Sequence, residues 1–170
     1  MKLPKQYRPW HRRDVERLRS RIARARYFRG HGVHSPFVYA IVRQVFMRHT
    51  LIGDDHALYD TLRKCDVNER RAIQLQNLYT HCNSKSFGLN RATEIDMGIV
   101  TPEASSGEVA KLAAEAQACG TTLCILNPYA DKERRECCQQ LIVAHPSTSI
   151  DNRAYLLLFN GELPKQHFKL

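Results

Sequence analysis

Apolar residues fall at three- and four-residue steps through most of the first half of the chain. In the second half they fall at two-residue steps or in unbroken runs. The first spacing marks amphipathic helices and the second marks strands. Val15, Leu18, Ile22 and Ala25 make a narrow helical stripe within residues 2–29. Ser35 is a helix cap and Pro36 a first helical residue. Val38, Ile41, Val42, Val45 and Phe46 then share one face of a helix expected over 36–48. Gly30 and Gly32 let the backbone turn sharply just before it. Asp54 or Asp55 caps a second helix ending near residue 65, with Leu58 and Leu62 inward. A third spans residues 68–82 and carries Ile73, Leu75, Leu78 and Tyr79. Residues 83–88 have loop composition.

The period changes at Arg91. Thr93, Ile95, Met97 and Ile99 alternate with Glu94, Asp96 and Gly98, which predicts a strand over 93–100. Ser105 and Glu108 form a capping-box pair at the start of an Ala-rich helix that Gly120 stops. Residues 121–126 are an apolar run of the kind buried in a parallel sheet. Asn127, Pro128 and Tyr129 end it, and Asp131 caps a helix to residue 144 with Cys137, Cys138, Leu141 and Ile142 inward. Residues 147–150 and 154–159 read as a strand pair around a tight turn at 151–153. The fold class is α/β: an N-terminal helical region packed on a reduced Rossmann-like sheet of two parallel strands plus a C-terminal antiparallel hairpin. Three parts follow, a basic helical arm at 1–30, a helical region at 31–90 and an α/β half-domain at 91–170. Such a sheet leaves the edge of the 93–100 strand open to pairing. The N-terminal helices are expected to cover it, with a homodimer through the sheet edge as the other option.

Charge sharpens this division. Residues 1–30 carry 11 Lys and Arg against 2 Asp and Glu, and residues 31–170 carry 15 of each, so the whole formal charge of +9 precedes His31. Arg12, Arg13, Arg17, Arg19, Arg21, Arg24 and Arg26 cover the arm outside its apolar stripe. Three readings stay open for that face: a solvated helix without a ligand, a nucleic-acid contact, or a contact with an anionic membrane surface or acidic protein. No apolar run approaches the roughly 20 residues of a membrane helix and no secretory signal core is present, so a cytoplasmic location is expected. The 6 cysteines include no C-x-x-C pair and read as core residues and free thiols. His31 and His34 are too few ligands for a metal site, so no metal is expected.

The order β-α-β-α-β-β resembles the C-terminal half of a class I S-adenosylmethionine-dependent methyltransferase, which ends in a reversed hairpin at the edge of a parallel sheet. Three segments are similar to one bacterial group of that superfamily. They are His31-Gly32-Val33-His34-Ser35-Pro36-Phe37-Val38-Tyr39, the weaker Ala144-His145-Pro146, and Phe159 through Pro164-Lys165-Gln166-His167-Phe168. Members of the group carry a Gly-rich turn after the first strand, which cradles the cofactor, and an acidic residue after the second strand for the ribose. No such glycine element lies between the third helix and the 93–100 strand, and about three strands of the usual sheet are not found. The resemblance therefore implies a degenerate, non-catalytic binding or scaffold module without a cofactor. The alternative is an active methyltransferase that binds S-adenosylmethionine at an atypical site or at one completed by a partner chain.

No catalytic residue carries over. The phosphate-loop, H-E-x-x-H and G-x-S-x-G patterns are missing. Glu103 follows the carboxyl end of a parallel strand, where open α/β sheets bind ligands, and Asn127 and Tyr129 end the neighbouring strand. These three line a small-molecule site if the chain has one; as ordinary loop and cap residues they need none. His145 follows a helix carboxyl end, where the dipole favours an imidazolium, and His167 lies in the polar tail. Both read as structural.

Overall fold

Ser35 and Pro36 open the first described helix as the sequence predicts. The structure, a computed structural model, describes residues 34–170. The basic arm with its arginines, and the turn at residues 30–32, lie outside the described residues. Ser35 accepts a hydrogen bond from the Val38 amide, and helix α1 runs over Pro36–Ile41. It continues into one π-helical turn, Val42–Phe46. Val38, Ile41, Val42 and Val45 are buried. Helix α2 is Ala57–Lys64, with the Asp55 carboxylate accepting from the Ala57 amide at 2.9 Å. Helix α3 is Glu69–His81, capped by Asn68.

Helix α3 is buried on more than its apolar face, because Gln74, Gln76 and Asn77 are buried too. Their amides pair with groups in the loop at 50–52, in the first turn of α2, at the end of the π-helical turn and on β5. Asn77 accepts from the Ile52 amide and donates to the Thr50 carbonyl, both at 2.9 Å. Gln76 accepts from the Tyr59 amide at 2.9 Å. Gln74 donates to the Phe46 carbonyl at 3.1 Å and accepts from the Tyr155 hydroxyl at 3.0 Å. Each such bond contributes about 1 kcal/mol, and leaving one of these buried groups unpaired costs more.

The sheet has six strands: β1 (Phe87–Leu89), β2 (Met97–Val100), β3 (Thr122–Leu126), β4 (Thr148–Asp151), β5 (Tyr155–Leu158) and β6 (Gln166–Lys169). Their order is β1-β2-β3-β5-β4-β6. The first three are parallel, β5 is antiparallel to both its neighbours, and β6 is parallel to β4. Helix α4 (Ser106–Cys119) connects β2 to β3, and helix α5 (Lys132–Ala144) connects β3 to β4. Side chains alternate between two cores. Met97, Ile99, Cys124, Leu126, Tyr155 and Leu157 face α1–α3, while Val100, Leu123, Ile125, Leu156 and Leu158 face α4 and α5. The α/β class, the capping box at Ser105 and Glu108, and the left-handed Gly120 cap all agree with the sequence reading. Among the described residues no helix is long and apolar enough to cross a membrane.

The expected four strands form the centre of the sheet, and three details depart from expectation. The 93–100 strand is only Met97–Val100. The residues before it form a return loop, with Glu94 left-handed at φ 58°. The edge of β2 is covered neither by helices nor by a second chain but by β1, drawn from residues that read as loop. The tail supplies β6 on the far side.

The β1–β2 connection explains the first two departures. Parallel strands ordinarily need a crossover of a dozen or more residues, and here residues 90–96 suffice. They pass directly over Gly98, where an added Cβ would lie 2.5 Å from the Arg91 carbonyl oxygen and 3.0 Å from Leu123 Cδ1. The Thr121 hydroxyl pins the loop, lying 2.8 Å from the Ala92 carbonyl and 2.9 Å from that of Ile95. Asp96 caps its far end through the amides of Lys85 and Ser86. Gly98→Ala is therefore expected to destabilise the fold by about 1–3 kcal/mol, the range for overpacking. Gly107→Ala, whose Cβ meets nothing within 4 Å in α4, should stabilise by about 0.5 kcal/mol. Urea denaturation of the two variants measures both, and equal stabilities would contradict the close approach at Gly98.

Candidate ligand site at the carboxyl rim of the sheet

Strands β1, β2 and β3 are parallel, and β4 runs with them because both β3 and β4 are antiparallel to β5. Their carboxyl ends share one rim, the edge at which open α/β sheets bind ligands. At the end of β1, Asn90 adopts φ 48°. Its side chain accepts from the Thr101 amide at 2.9 Å and donates to the Thr101 hydroxyl oxygen at 3.0 Å. The Thr101 hydroxyl in turn faces the Glu103 carboxylate. That hydroxyl, the Glu103 backbone amide and the Arg134 charge hold the Glu103 carboxyl below the usual glutamate range.

A cavity of about 290 Å³ opens beside this chain of bonds. Leu62, Val67, Leu89 and Leu126 give it apolar walls, and Asp66, Thr101 and Glu103 give it polar ones. Its volume lies at the lower end of the roughly 300–1,000 Å³ usual for small-molecule pockets.

Of the three rim residues picked out from sequence, Glu103 lines the cavity. Asn127 follows Leu126 with φ 47°, and its side-chain oxygen accepts from Arg71 at 3.2 Å. The Tyr129 hydroxyl donates to the Asp151 carboxylate at the end of β4. The structure therefore spreads them along the rim, each with its own partner, and brings Glu103 together with Asp66 and Thr101 instead.

Sequence reasoning missed Arg134. Its side chain is 2% exposed. The guanidinium donates to the carbonyls of Ala104 at 2.7 Å, Thr101 at 2.9 Å and Leu126 at 3.0 Å. It thus bridges the carboxyl ends of β2 and β3 from beneath. The signal was available: residues 134, 138 and 141 follow the helical step of the inward stripe. An arginine in a helix rich in charged residues reads as surface unless that register is followed.

The buried thiols are quiet. All 6 cysteines are free. Burial pushes the Cys82 thiol up to about 11 and the Cys138 thiol up to about 12, so neither supplies a thiolate near neutral pH. Among the described residues no group of three or more His, Cys, Asp or Glu side chains could hold a metal. His167 is bonded to Ser149 at 2.9 Å. His145 lies 3.1 Å from the Phe159 carbonyl. Burial pulls its pKa below the ordinary histidine value, outweighing the carbonyl bonds that favour the charged ring. The helix dipole expected to favour an imidazolium therefore does not decide its state.

No family model matches the chain, and no curated protein or solved structure matches it either.

Two variants test this description. Arg134→Met fills much of the same volume but removes the guanidinium donor from the carbonyls of Ala104, Thr101 and Leu126, of which Thr101 keeps the Ala104 amide. It is expected to cost about 2 kcal/mol or more in urea denaturation, and a loss within ~0.5 kcal/mol would contradict the bridging role. His145 titrates lower in the folded protein than in the unfolded chain, so the unfolded state takes up a proton first as pH falls. Its contribution to stability is intact above about pH 6.5 and is lost as pH falls through the lower folded value. His145→Gln should accordingly show a shallower loss of stability between about pH 7 and 5 than the parent chain. Parallel slopes would refute the buried neutral ring.

Proposed function

We propose that this chain is a methyltransferase-like module that acts by binding, with no methyl transfer of its own. The reversed strand β5 between β3 and β4 supports kinship with the superfamily's sheet. The observation that carries the loss of chemistry is the state of the rim. In those enzymes a Gly-rich turn and a helix amino terminus at the end of the first strand receive the cofactor. Here β1 ends in Asn90 and a return loop leads straight into β2. The Arg134 guanidinium fills the adjoining gap between β2 and β3. A neutral body and a basic segment at 1–30 support contact with a polyanion, and nucleic acid fits the density of arginine best.

One observation favours a second reading, an active methyltransferase with an atypical site: the cavity lies at the same rim, beside Glu103.

Calorimetric titration of S-adenosylmethionine separates the readings. No heat of binding up to about 1 mM is expected, and tighter binding that Glu103→Gln abolishes would replace the first reading with the second. Nucleic-acid binding, measured as a function of salt, should have a slope of about −0.7 to −0.9 per phosphate contact. Binding that is flat in salt, or that survives deletion of residues 1–30, would remove the polyanion role.

A further inference from the structure

We propose that the cavity at the carboxyl ends of β1, β2 and β3 is a binding site for a small organic cation with an apolar body. This is a different ligand, on a different part of the chain, from the polyanion assigned to residues 1–30, and it does not require methyl transfer.

The walls define the ligand's two parts. Leu62 and Leu126 are buried, and with Leu89 and Val67 they form an apolar floor from two different layers, α2 with the turn that follows it and the sheet. An unbranched polar ligand would gain nothing from such a floor, whereas one ring or short hydrocarbon group would. The polar side of the cavity carries two carboxylates, Asp66 from the α2–α3 turn and Glu103 from the loop after β2. Both are exposed toward solvent, so they stand at the mouth while the apolar residues lie deeper.

Asp66 sits in a left-handed backbone conformation at φ 55°. Thr101, which Asn90 holds by two hydrogen bonds and which is itself buried, faces Glu103. Glu103 is also kept ionised, since its hydrogen bonds and the Arg134 charge lower its pKa. Two guanidiniums lie near this mouth: that of Arg63 donates to the carbonyl of the lining residue Val67, and that of Arg134 is turned toward the carbonyls of Ala104, Thr101 and Leu126. Both are thereby directed at backbone carbonyls. The volume of about 290 Å³ limits the ligand to about the size of a single substituted ring.

The test uses benzylammonium as probe, with benzyl alcohol and benzoate as its neutral and anionic counterparts, on the full chain. Ligand-observed and protein-observed NMR give affinities and location. Benzylammonium is expected to bind with Kd of about 1 mM, shifting the amides of residues 66, 89, 101 and 103. Benzyl alcohol and benzoate should bind at least about tenfold more weakly. Glu103→Gln is expected to weaken benzylammonium about fivefold or more and to leave benzyl alcohol unchanged. Asp66→Asn keeps a residue that tolerates the left-handed conformation and should act in the same direction. Equal affinity for the three probes, shifts elsewhere on the surface, or indifference to both substitutions would each overturn the proposal. Failure of S-adenosylmethionine to bind leaves it standing, because that cofactor tests the methyltransferase reading alone.

Discussion

The close passage of residues 90–96 over Gly98 is the constraint on which the rest of the sheet depends. A parallel strand pair joined by so short a connection must carry its return segment across one face of the sheet. That face cannot also hold a side chain at the crossing, and the Arg91 carbonyl oxygen occupies the place of the missing Cβ. Once the loop lies there, β1 falls in register beside β2, with Gly88 opposite Gly98. The exposed edge of β2 is thereby closed by the chain itself. Asn90 is delivered to the end of β2, where it bonds Thr101, two residues before Glu103. The rim geometry is thus a consequence of backbone packing between neighbouring strands.

Buried polar side chains do a related task where there is no secondary structure to do it. The 47–56 segment has no ladder, yet its backbone is held to α3 by Asn77. Gln74 ties the last carbonyl of the π-helical turn to Tyr155 on β5, so the π-helical end of α1 and the sheet share one hydrogen-bond chain. Arg134 performs the same service on the opposite face for the ends of β2 and β3. In each case one side chain carries more than one donor or acceptor and satisfies carbonyls or amides that would otherwise be buried without partners. These residues set how loops and layers meet, and the apolar residues set only which faces meet.

That division explains what the sequence made legible. Helix starts were readable because Ser35, Ser105 and Asp131 are local signals whose partners lie three residues away. The hairpin and the two central strands were readable from runs such as residues 122–126. Strand β1 was hidden because three residues containing a glycine carry no period, and its pairing rests on the loop over Gly98. The alternation of residues 93–100 was real, but its first half was taken by the return loop, where Ala92 and Ile95 give their carbonyls to Thr121. At the rim, Glu103 was legible from its position after a strand. Asp66 was not, since it belongs to a helical connection remote in sequence. Nor was Arg134, which in a charged helix resembles one more surface cation.

The two binding readings draw on opposite electrostatics, and the charge distribution keeps them apart. Residues 31–170 carry no net formal charge, so the body exerts little long-range pull on ions of either sign. Recognition at the rim must then come from contact: two carboxylates at the mouth of an apolar cavity act within a few ångströms. The arm works the other way. Its surplus charge acts at a distance, and screening shortens that reach to about 10 Å at 0.1 M salt. Salt therefore weakens the two kinds of binding very unequally. A ligand held by the cavity keeps most of its affinity through its apolar contact, because burial of hydrocarbon does not depend on ionic screening.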